Sequence, residues 1–157
     1  DSTDIHPAVG ASHVIASAVK GFLDARSIIL PLSDPTDVTV SHAGVPDSYT
    51  AVTWKQANTG KFARLWSTSQ LHLVFTGGHD ISSNTQIGNM TQKFIMGRNN
   101  YECRIPVSIR YKTGGTWSMA MGVLSFYNFG VYLTALVGSV DEVYIPAFAA
   151  DIPIEFC

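Results

Sequence analysis

Apolar runs recur at short intervals through the last third of the chain: Tyr101–Tyr111, Met119–Phe126, Phe129–Val137, Val143–Phe148 and Ile152–Phe156. Gly114-Gly115, Asn128, Gly138-Ser139 and two Asp-containing breaks separate them. Strands of this length with Gly, Asn and Asp punctuation predict an antiparallel meander, the raw material of a sandwich or barrel. No three-to-four-residue period runs through the region, which argues against helices there.

The first hundred residues read differently. Val14, Ile15, Ala18, Val19, Phe22 and Leu23 share one stripe, which predicts a helix over Ser12–Asp24 with Ser12 as N-cap. Ser27–Leu30 is a short strand candidate, stopped at Pro31. From Pro31 to Tyr49 the chain is rich in Pro, Ser, Asp, Thr and Gly, and only Val38-Thr39-Val40 reads as strand. That stretch is expected to be an exposed loop that contacts a neighbouring subunit or a host molecule. Thr50–Trp54 and Phe62–Phe75 are further strand stretches, with Leu71, Leu73 and Phe75 on one face and His72 on the polar side. Gly77-Gly78 is expected to end that run, His79–Thr91 to be turn-rich, and Lys93–Met96 to form one more strand. The expected organisation is a single β domain over 1–157, helix- and loop-rich over 1–60 and with its β core over 61–157. Its fold class is all-β, an antiparallel β-sandwich or jelly-roll-like barrel with one ancillary N-terminal helix.

Composition sharpens this. Hydrophobic residues make up 46% of the chain and charged residues only 14%, against roughly 25% charged in an average globular domain. A well-packed β domain with Ser/Thr-rich surfaces shows such a deficit, and so does a protein whose surface is covered by neighbours, since interface cores are depleted in charge; the balance leans slightly to the second. A net charge of −2 and the absence of any Lys/Arg run argue against strong direct nucleic-acid binding; Lys55, Lys61 and Arg64 are the densest basic spot. No apolar run approaches the roughly 18 residues of a membrane span, so no membrane insertion is expected. The opening Asp1-Ser2-Thr3-Asp4 is acidic, unlike a signal-peptide start.

Candidate chemistry is sparse. His6 and His13 are seven residues apart, which matches no common zinc pattern, and Cys103 and Cys157 form no CxxC pair. Cys103 reads as a small buried hydrophobe, while whether it pairs with Cys157 stays open. His79-Asp80 sits beside a glycine turn, no serine lies in a GxSxG elbow, and the carboxylates form no tight pair. Asn89-Met90-Thr91 matches the glycosylation sequon, which matters only in a secreted chain. The residues therefore nominate no catalytic, metal or cofactor-binding group, no cofactor and no enzyme activity, and leave the binding residues unknown. Trp54, Trp66, Trp117, Phe126, Tyr127, Phe129 and Tyr132 could line a sugar or receptor surface, but cores and subunit interfaces use the same residue types.

The run Phe62-Ala63-Arg64-Leu65-Trp66-Ser67-Thr68-Ser69-Gln70-Leu71-His72-Leu73-Val74-Phe75-Thr76-Gly77 resembles the early core strand of picorna-like virus coat proteins. Tyr101-Glu102-Cys103-Arg104-Ile105-Pro106-Val107-Ser108-Ile109 is similar to the strand that carries an apolar-Pro step into a sheet in those proteins. Val123–Tyr132 and Val143–Asp151 look like their last two strands. The similarity covers roughly residues 60–157, in the style of comovirus-like and insect picorna-like coat proteins. It implies a structural role in the virion, as shell jelly roll or as protruding domain, with other capsid subunits and a host receptor as partners. The stretch from Gly77 to Tyr101 is short for the middle strands of a jelly roll, which keeps a smaller projecting barrel open. The competing class is a β-sandwich receptor- or carbohydrate-binding module, fibre-head or lectin-like.

Overall fold

The computed structural model describes residues 33–58, 61–91 and 103–153. They form ten strands: β1 (Thr36–His42), β2 (Val52–Asn58), β3 (Phe62–Ser67), β4 (Leu71–Asp80), β5 (Thr85–Met90), β6 (Cys103–Thr113), β7 (Thr116–Tyr127), β8 (Gly130–Thr134), β9 (Ser139–Ile145) and β10 (Ala149–Pro153). The strands join in one sheet of order β10-β3-β2-β1-β5-β8-β7-β6-β9-β4. Every pairing is antiparallel. The class is thus all-β and antiparallel, as the meander pattern predicts, and the described residues contain no helix. The expected helix at Ser12–Asp24 and the strands at Ser27–Leu30 and Lys93–Met96 lie outside the described residues, as does Cys157.

The longest hairpin shows how local sequence makes local structure. Cys103, Ile105, Val107 and Ile109 alternate inward along β6 while Arg104, Pro106, Ser108 and Arg110 face out. Gly114 and Gly115, with φ of 55° and 87°, supply the two left-handed residues of a two-residue hairpin turn. The register then runs without a break from Thr113↔Thr116 to Cys103↔Phe126. Asn128 (φ 53°) does the equivalent work between β7 and β8.

The sheet curls until its two halves face each other. Trp54 of β2 meets Phe126 of β7 edge-to-face at 6.2 Å, although β1, β5 and β8 stand between them in the sheet. Trp54 also meets Phe148 at 5.2 Å. Inward residues from both halves, including Val38, Leu65, Leu73, Ile87, Ile105, Leu124 and Val143, form one continuous buried cluster.

Several boundaries depart from the sequence reading. Residues 36–42, expected to lie mostly in a surface loop, form an interior strand between β2 and β5, with Val38 and Val40 fully buried. Two buried valines with sheet partners on both sides suffice to hold a strand whose other positions are polar. Residues 85–90, read as turn-rich, form β5, which buries Ile87 and Met90. The Phe62–Phe75 stretch splits at 68–70 into β3 and β4. Gly77-Gly78 does not end β4. Both glycines have φ near 80° and carry a bulge, after which pairing with β9 resumes at His79↔Val140. The last segments shift by a few residues: β8 stops at Thr134, β9 spans Ser139–Ile145, and β10 spans Ala149–Pro153.

Candidate functional site

Two cross-strand rows cross the outer face where β4, β9, β6 and β7 lie side by side. Register aligns His72, Tyr144, Arg110 and Met119 in one row, and Val74, Glu142, Lys112 and Trp117 in the next. His72 and Tyr144 stack at 4.2 Å with planes 14° apart. Trp117 leans on Tyr144 at 5.4 Å, and the Arg110 guanidinium sits 4.7 Å from the Trp117 ring centre. Cation–π contacts at exposed positions contribute about 0.5–1 kcal/mol. His72 Nε2 lies 3.8 Å from a Glu142 oxygen, within ion-pair range but too long for a hydrogen bond, and it has no hydrogen-bond partner. Tyr144 spends its faces on His72 and Trp117. The row therefore ends, on the β4 side, at the His72 ring.

Among the described residues, β4 is the last strand of the sheet. The 43–50 loop ties this margin to β5: the Val45 N–H donates to Gln86 O at 3.0 Å and the Asp47 N–H to Val74 O at 2.8 Å. The Asp47 carboxylate accepts the Thr76 N–H at 3.0 Å and the Thr76 hydroxyl, and these bonds hold it below the usual carboxylate range. Tyr49 fixes the other side of the loop. Its hydroxyl donates towards Ile87 O and lies 3.1 Å from Ser41 O, its ring meets His42 edge-on at 5.3 Å, and burial pushes its pKa up to about 12. Between this loop and β4 lies an open cavity of about 590 Å³, lined by Ser48, Tyr49, Thr50, Val52, Gln70, Leu71, His72 and Val74. Ligand pockets commonly measure about 300–1,000 Å³.

A second concavity of about 480 Å³ sits over β6, β7 and β8, lined by Asn84, Arg104, Ile105, Pro106, Val123, Ser125 and Thr134. Nearby, β8 pairs with β7 only from Val123 to Tyr127. Thr116–Gly122 therefore pairs with β6 alone among the described strands. Met119 and Met121 on that segment are 76% and 63% exposed, and Leu136 is 89% exposed.

The aromatic residues divide by role. Trp54 and Phe126 belong to the core, Trp117 to the outer row, and Tyr127 and Phe129 flank Asn128 at a turn where each is 46% exposed. His79 stacks on Phe75 at 5.8 Å, and Asp80 accepts the Ser82 N–H as a turn residue. Lys55 pairs with Asp37, and Arg64 makes a two-pronged contact to Asp151 across β3 and β10. That guanidinium holds the Asp151 carboxyl below its ordinary value. Cys103 is buried, as expected. Among the described residues no group of three or more His, Cys, Asp or Glu side chains could hold a metal ion, and no helix is long and apolar enough to cross a membrane. Alternation alone placed His72 outward. Its union with Tyr144 and Trp117 required strand register, which short-range pattern does not carry. No protein-family model matches the chain, and no curated protein matches it.

Proposed function

We propose that this chain is a non-catalytic structural subunit of a non-enveloped virus particle, in which the curled sheet serves as a jelly-roll-like shell domain or as a surface projection. One observation carries the reading: Met119, Met121 and Leu136 stand well over half exposed in a chain with only 14% charged residues. The two methionines lie on a segment of β7 that lacks a second described partner strand and has no Lys, Asp, Glu or Pro. Lone sheet margins ordinarily carry such residues to deter association. Contiguous exposed apolar patches mark surfaces that another chain covers, and Met119 and Met121 lie two residues apart on the same face of β7. The resemblance of residues 60–157 to picorna-like coat proteins supplies the kind of assembly, with other capsid subunits as partners and the virion as location.

Expression of the chain with electron microscopy of the product tests this. The reading expects closed particles, or regular oligomers that add to them. A chain that stays monomeric at the highest attainable concentration contradicts it.

A second reading, attachment to a receptor or glycan, draws on the Tyr127-Asn128-Phe129 turn, which presents two half-exposed aromatic rings. Aromatic rings that offer an apolar face with a polar rim suit sugars and protein partners. A glycan array separates the readings: selective binding lost in Tyr127→Ala and Phe129→Ala favours attachment, and none leaves assembly alone.

A further inference from the structure

We propose that the outer edge of β4 is a strand-addition slot, which takes an extended, uncharged peptide segment supplied by another protein chain. The inference deepens the assembly reading by naming a contact, and its test reads the slot directly, whether or not particles form.

The backbone gives the polarity of the edge. In an extended strand, the N–H and C=O of one residue point to the same side, and those of the next residue to the other. Val74 O accepts from Asp47, and the Thr76 N–H donates to the Asp47 carboxylate. Even-numbered residues of this part of β4 therefore face away from β9. Leu71 and Leu73 face β9, which makes His72↔Tyr144 a non-hydrogen-bonded pair, the type with the closer side chains. The 4.2 Å stack agrees with that assignment.

The 43–50 loop occupies only the upper part of the edge. Below it, the His72 N–H, the His72 C=O and the Val74 N–H face the side on which the cavity opens, and no described strand pairs with them. These groups set donors and acceptors at the spacing an incoming strand presents, which is how β-augmentation gains its affinity. From Gln70 to Val74 the edge runs about 13 Å at about 3.3 Å per residue, enough for a short segment.

Side-chain chemistry narrows the occupant. None of the eight lining residues is Asp, Glu, Lys or Arg, so a charged segment would lose water without gaining a carboxylate, ammonium or guanidinium partner from the lining. The face of the His72 ring opposite Tyr144 is the open end of the Tyr144–His72 stack. A strand residue placed opposite His72 brings its side chain into the same row, so a planar side chain there extends the stack by one ring. The flank is firm, because Tyr49 is held by its hydroxyl and by His42. A firm flank lowers the ordering cost of binding.

The test uses hydrogen exchange by NMR on the whole chain, with the capped pentapeptide acetyl-Thr-Val-Tyr-Val-Thr-amide as probe. In the chain alone, the His72 and Val74 amides should exchange much faster than those of Leu71 and Leu73. Saturating peptide should slow them about tenfold or more, the effect of added protection on local opening, and shift the His72 ring resonances. The same peptide N-methylated at its central residues should do neither. Thr50→Arg, a change at an exposed lining position, should weaken binding at least about tenfold by placing a charged side chain in the slot. Three results overturn the proposal: His72 and Val74 amides as slow as their neighbours without peptide, which means this chain fills its own edge; no protection from the peptide; or equal protection from its N-methylated form. If the slot binds peptide while the chain forms no particles, the assembly reading fails alone. If particles form and the slot stays inert, this inference fails alone.

Discussion

At the scale of single residues, two side chains test the physical account. Trp54 is 1% exposed and touches both halves of the curled sheet through Phe126 and Phe148. Trp54→Ala should cost about 3–5 kcal/mol, the range for truncating a buried aromatic, read as a lower urea midpoint. A loss under about 1 kcal/mol, near the scale of surface changes, would mean that the halves do not pack through it. Tyr49 tests the loop. Burial raises its pKa to about 12 from 10.0, so folding favours its neutral form. Its contribution is intact below pH 10 and is lost as pH rises towards 12. Stability should fall across that window, and Tyr49→Phe, less stable at neutral pH through loss of two acceptor contacts, should show a flatter alkaline limb. An unchanged limb in the variant would place the titrating group elsewhere.

At the scale of elements, the strands that were legible in the sequence are those with enough apolar positions to declare a period. β6 alternates strictly from Cys103 to Arg110, and its hairpin with β7 closes at Gly114-Gly115. β5 was hidden and β1 showed only as Val38-Thr39-Val40, because each buries only a few apolar side chains: Val38 and Val40 in one, Ile87 and Met90 in the other. Their strand state comes from partners far away in sequence, which no local window contains. β4 was cut short because paired glycines ordinarily mark a turn, whereas here they accommodate a bulge with φ near 80°. Gly77→Ala and Gly78→Ala should each cost about 1–2 kcal/mol, the penalty of a left-handed conformation for an L-residue. At Gly78 the new Cβ would lie 2.9 Å from the Ser139 hydroxyl, which can rotate away; at Gly77 it meets nothing within 4 Å. The strand assignment of residues 36–42 yields a sharper contrast. One residue inserted between Val38 and Thr39 moves Val40 to the opposite face and should cost several kcal/mol in thermal or urea unfolding. One residue inserted between Gly114 and Gly115 should cost no more than about 1 kcal/mol. Equal tolerance at both places would return residues 36–42 to a loop.

At the scale of the whole molecule, the all-β antiparallel class followed from pattern, but the strand order did not. Pairings such as β1 with β5 and β4 with β9 are fixed by which inward faces fit together, and register then decides what the outer face displays. The His72–Tyr144 row, the β4 slot and the β7 margin that pairs with β6 alone among the described strands are all products of that order, so the candidate site was legible only as single residues. Charge scarcity was legible from composition, and the Thr116–Gly122 segment of β7 carries no charged side chain of its own, although Arg110 and Lys112 of β6 stand opposite it. On the proposed assembly role, Met119 and Met121 on the Thr116–Gly122 margin are the residues that neighbours would cover. Sedimentation velocity of the purified chain over a wide concentration range tests this most directly. The account predicts species larger than one 157-residue chain that grow with concentration, and that Met119→Lys combined with Met121→Lys returns to monomer without loss of fold. A single monomeric boundary at every concentration, unaltered by those substitutions, would contradict it.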